Sequence, residues 1–148
     1  MGRTTHASVV ERVGVPPGLR FAATYDAGMP PRRRVPVAAG GAAVDRWRRD
    51  GSDTPRDELA TAVRYTLEEL ATVAPGRSVE VRVPPFGAVQ CVAGTTHTRG
   101  TPPNVVETDA QTWLEVATGV VSWQAAWDAG SLRVSGHRAD LDQYLPLA

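Results

Sequence analysis

The sequence predicts a small α+β domain: a mixed or antiparallel sheet with helices packed on one of its faces. Three observations carry this fold class. Val79, Val81 and Val83 alternate with Glu80 and Arg82, the period of a half-buried strand. Upstream, Leu59, Ala62, Val63, Thr66, Leu67, Leu70 and Ala71 recur at helical spacing and form one apolar stripe. Downstream, Asp109 to Gly119 and Ser122 to Gly130 each run from an N-capping residue to a terminating glycine. Strands in succession followed by helices favour a layer of helices over a sheet.

In chain order, Ala38 to Arg49 is expected to form a short helix with Val44 and Trp47 on one side. Thr54-Pro55 supplies an N-cap and a proline at the first position of the next helix, with Asp57 and Glu58 complementing its dipole. Pro75-Gly76 ends it. The alternating strand spans Ser78 to Val83, Pro84-Pro85 breaks it, and Ala88 to Val92 reads as a second strand. Val105 to Thr108 is a third. The helix capped by Asp109 carries Trp113, Val116 and Ala117, and the one capped by Ser122 carries Trp123, Ala126 and Trp127. Ser131 to Ser135 alternates again with Leu132 and Val134 inward. A final helix is expected over Leu141, Tyr144 and Leu145 before Pro146.

Composition bounds the function. The chain has 148 residues, a formal net charge of +0 and 42% hydrophobic residues. Without a cationic surplus there is no electrostatic case for a nucleic-acid partner. No apolar run approaches the ~20 residues that cross a bilayer, so no integral membrane segment is expected. Met1 to Ala23 lacks the continuous apolar stretch of a signal peptide, and a cytoplasmic location is expected. All 16 basic residues are arginine and isoleucine is absent, which points to a high-GC bacterial genome rather than to a binding signature. Residues 1–37 are rich in proline and glycine and lack a sustained apolar stripe, so they are expected to be a disordered or weakly ordered extension. Met29-Pro30-Pro31-Arg32-Arg33-Arg34 reads as an alternative native start, an expectation that would place residues 1–28 outside the native protein. Residues 38–53 are read as a short helix and linker, and 54–148 as the domain.

The segment from Asp109 to Gly136 carries a recognisable pattern. An acidic residue, an apolar helix closed by Gly119, a short helix closed by Gly130 and a Leu132-Arg133-Val134 strand closed by Gly136 follow in order. This resembles the C-terminal half of sterol-carrier-protein domains, and Thr101 to Asp109 resembles a segment common in bacterial relatives. The resemblance, strongest from Thr101 onward, implies a sheet of about four to five strands and non-catalytic binding of an apolar ligand, a lipid or fatty acyl chain. Only three or four strands can be located in the sequence itself. Similar segments also occur as C-terminal domains of mycothiol-dependent isomerase-like proteins. An accessory, protein-docking domain with a filled core is therefore the alternative.

Three of the four tryptophans, Trp113, Trp123 and Trp127, fall on two consecutive short helices. Each brings a large apolar area and one N–H that needs a partner. A tunnel lined by Val81, Val89, Trp113, Val116, Trp123, Trp127, Leu132, Leu141 and Tyr144 is one outcome, and a plain core made of the same residues is the other. His97 and Arg99 lie in the polar stretch after the second strand, where they would stand at the tunnel mouth. Cys91, the only cysteine, sits mid-strand, where a buried small hydrophobe is the default and a nucleophile would need an exposed, electropositive setting. His6, His97 and His137 are too dispersed for a metal site, and no cofactor is expected.

Overall fold

The computed structural model describes residues 32–94 and 104–148. Among them the chain forms helix α1 (Val37–Asp50), a 3-10 turn (Gly51–Asp53), helix α2 (Arg56–Val73) and strands β1 (Val79–Val83), β2 (Gly87–Cys91) and β3 (Asn104–Glu107). Helices α3 (Ala110–Thr118) and α4 (Trp123–Asp128), strand β4 (Arg133–Ser135) and a last 3-10 turn (Asp142–Tyr144) follow. The sheet order is β2-β1-β3-β4. β1 pairs antiparallel with β2 and parallel with β3, and β3 pairs antiparallel with β4, so the sheet is mixed. This is the α+β fold that the strand alternation and helical stripes predict.

Register explains the layering. Val79, Val81 and Val83 are buried, as are Cys91 opposite Val79 and Val106 beside Val81. Glu80, Arg82, Gln90 and Glu107 occupy the intervening positions on the other, polar face. Among the described residues, the helices pack on the valine face. Local caps behave as their sequence demands. The Asp109 carboxylate accepts the Thr112 N–H at 2.9 Å, the Ser122 hydroxyl accepts the Ala125 N–H at 3.1 Å, and Gly119 takes the left-handed conformation that closes α3.

Four details depart from expectation. First, the Thr54 side chain does not cap α2; its hydroxyl donates back to the Gly51 carbonyl at 2.7 Å, and Pro55 holds the cap position. The 3-10 turn immediately before α2 offers that carbonyl as a nearer acceptor. Second, α1 forms where a short helix is expected, with Val44 and Trp47 on one side, but it buries a longer stripe than those two residues. Gly40, Ala43, Val44 and Trp47 are buried at the i, i+3, i+4, i+7 spacing of a core-facing stripe, one that is hard to see when half of it is glycine and alanine. Third, residues 33–35, expected within a weakly ordered extension, are tied to α2: Arg33 pairs with Glu69, and the Arg34 and Val35 N–H groups donate to Glu68. Residues 1–31 lie outside the described residues. Fourth, no final helix forms. Leu141 is buried and Tyr144 half-buried, but they are joined by a single 3-10 turn. Pro146 leaves too little chain for a helix, and the Leu147 N–H instead donates to the Ala117 carbonyl at 2.7 Å, tethering the C-terminal segment to α3.

Candidate functional site

The residues picked out as tunnel lining gather in one place, with one exception. Val81, Trp113, Val116, Trp123, Leu132 and Leu141 belong to a single buried cluster, and Val89 and Tyr144 pack against it half-buried. Val81 and Leu141 are 0% exposed, and Trp113 and Val116 1%. These four side chains are closed off from solvent. The Trp113 indole N–H donates to the Thr66 hydroxyl at 2.8 Å, and that hydroxyl bonds in turn to the Ala62 carbonyl, so the polar edge of the ring is satisfied internally. The aromatic centre is filled in this conformation.

Trp127 is the exception. It is 45% exposed and lies tilted against Trp123 with ring centroids 6.3 Å apart. α4 is only six residues long, and it turns Trp123 and Ala126 toward the core, which carries Trp127 round to the rim. His97 and Arg99, the expected mouth, lie outside the described residues.

Cys91 is wholly buried at the end of β2, and burial pushes its thiol up to about 12. At neutral pH such a thiol stays protonated and is a poor nucleophile. Among the described residues, no three His, Cys, Asp or Glu side chains cluster as a metal site would need.

Open space lies elsewhere. A groove of about 280 Å³ runs between α2 and β2. Leu67, Phe86 and Val89 supply its apolar surface, and the small Gly87 and Ala88 leave room beside them. Arg32, Arg34 and Arg64 form its rim together with Glu68. The rim is ordered by its own bonds. Arg64 Nε donates to the Phe86 carbonyl at 2.9 Å, Arg56 stacks over the Phe86 ring at 5.2 Å, and Glu68 is engaged by the backbone N–H groups of Arg34 and Val35. Two further depressions are more polar or shallower in character. One, of about 380 Å³, lies between Glu107, Asp109 and Arg133; the other, of about 390 Å³, lies where Trp47 donates to Gln111 beside Val120.

Of the nine candidate lining residues, only Val89 borders the α2–β2 groove. Sequence reasoning missed the rest because the groove joins three segments far apart in the chain. One signal was present: Arg32-Arg33-Arg34 has its complement in Glu68-Glu69 of α2.

Comparison with known proteins adds one positive finding. None of the curated proteins compared with the chain matches it. A family model described as bacterial SCP ortholog matches residues 55–147, from the start of α2 through the C-terminal turn. The match leaves α1 and the arginine segment before it outside, and still spans well over half of the chain. With a mixed four-stranded sheet covered by helices on its valine face, the chain belongs to the bacterial SCP ortholog family.

Proposed function

We propose that this domain binds an apolar ligand, a lipid or fatty acyl chain, without catalysis, and that it does so in the α2–β2 groove. One observation carries the choice of place: half-buried Phe86 and Val89 present apolar surface to an open groove floored by the buried Leu67, whereas Trp113 is closed in the core at 1% exposure. The groove's volume, about 280 Å³, falls just below the ~300–1,000 Å³ of ligand pockets, and suits part of a chain rather than a whole polycyclic ligand. Burying methylenes there contributes roughly 0.8 kcal/mol each. The buried, protonated Cys91 argues against a thiol nucleophile.

Titration with dodecanol, followed by methyl and indole NMR signals, tests this. Shifts are expected at Leu67 and Val89 and not at the Trp113 indole, and Val89→Glu should abolish them while leaving the spectrum folded. If the Trp113 indole moves instead, the ligand enters the core, and the groove is the wrong site. If nothing moves, the domain is not a carrier of such chains.

A second function is favoured by a separate observation. The closed core and the half-exposed Trp127 ring fit an accessory domain that docks on another protein. In that case no apolar ligand changes the NMR spectrum or the melting temperature.

A further inference from the structure

The geometry points to a charge preference in the groove: the ligand is a fatty carboxylate, held by its head group at the Arg32, Arg34 and Arg64 rim. This rests on the groove being the binding site. Three guanidinium groups and one carboxylate border the groove, in a chain whose formal net charge is +0, so the positive charge is concentrated locally. The one acidic group is already occupied, because both Glu68 oxygens accept backbone N–H groups from residues 34 and 35 at 3.0–3.1 Å. Those N–H dipoles point at the carboxylate and offset part of its repulsion of an anion.

The arginines are placed differently, and the difference assigns them roles. Arg64 is fixed, with Nε committed to the Phe86 carbonyl, which orients the rest of the fork beside the apolar surface. The side chains of Arg32 and Arg34 make no hydrogen bond to another described residue, yet their backbone is anchored through the Glu68 contact and the neighbouring Arg33–Glu69 pair. They form a cationic wall on a fixed base. A carboxylate accepts two parallel N–H bonds from one guanidinium, so a chain lying over Leu67, Phe86 and Val89 with its head at the rim satisfies both halves of the groove. A neutral alcohol satisfies only the apolar half.

Calorimetric titration of the full chain with dodecanoate and with dodecanol tests this, in the wild type and in R32Q/R34Q. These two exposed side chains can be changed without removing a described hydrogen bond. Dodecanoate should bind more tightly than dodecanol by roughly tenfold, the size of a charge-assisted hydrogen bond or two. The double variant should lose that advantage and keep dodecanol affinity, and R64Q should lower dodecanoate affinity as well. Equal binding of both ligands to the wild type, or undiminished preference in R32Q/R34Q, would overturn the head-group assignment and leave chain binding standing. Absence of binding by either ligand would overturn both.

Discussion

Helix α2 borders two regions of opposite character. On one side Thr66 meets Trp113, and the side chains around them are closed to water and internally hydrogen-bonded. On the other, Arg64, Leu67 and Glu68 face β2 across an open groove with a charged rim. The first region contains large aromatic side chains and the second only one. Aromatic size is therefore a poor guide to binding in this domain: large rings fill space between elements, whereas the groove opens where β2 offers Gly87 and Ala88. If the two regions differ as described, substitutions in the first should cost stability and those in the second should cost affinity.

The largest effect is expected from Trp113→Ala. It removes the biggest wholly buried side chain and leaves the Thr66 hydroxyl without its indole donor. A loss of about 3–5 kcal/mol in urea unfolding is expected, with chain binding retained by the molecules that remain folded. Should binding vanish while stability holds, the core would be the ligand site and the contrast would invert.

A smaller effect is expected where α1 crosses α2. A Cβ added at Gly40 would overlap Cβ and Cγ of Tyr65, whereas one at Gly41 meets nothing within 4 Å. Gly40→Ala should cost about 1–3 kcal/mol through forced separation of the helices. Gly41→Ala should stabilise α1 by up to about 1 kcal/mol through helix propensity. Thermal melts of the two variants compare them directly. Equal shifts would mean that α1 is not pressed against α2 at Gly40.

What the sequence made legible was local. The Asp109 and Ser122 caps are contacts between residues three apart, and the alternation of Val79, Val81 and Val83 needs only the period of a strand. The parallel pairing of β3 with β1 and the packing of α1 are non-local, and α1 hid its buried stripe behind small residues. Leu141, Tyr144 and Leu145 have helical spacing, but Pro146 and the tether of Leu147 to α3 prevail over it. The groove was the least legible feature. Its parts come from residues 32–34, 64–68 and 86–89, and no pattern within any one of them reports the others.

Strand β2 carries the contrast within five residues, since Val89 borders the groove and Cys91, on the same face, is sealed in the core. That seal has a pH signature. Burial raises the folded thiol to about 12, while the unfolded chain releases the same proton near the ordinary ~8.5. Between those values the unfolded state binds fewer protons than the folded state, so stability is fully present below about pH 8.5 and declines as pH rises above it. The expected slope from this one thiol is up to about 1.4 kcal/mol per pH unit. Burial also raises the Tyr65 hydroxyl, so the measurement is the difference between wild type and Cys91→Ala. The variant should be less stable at neutral pH, or at most equal, and should lose less stability between pH 8 and 10. Parallel stability curves for the two proteins, or alkylation of native Cys91 as fast as in urea, would show that water reaches this end of β2, and with it the core that Trp113 otherwise closes.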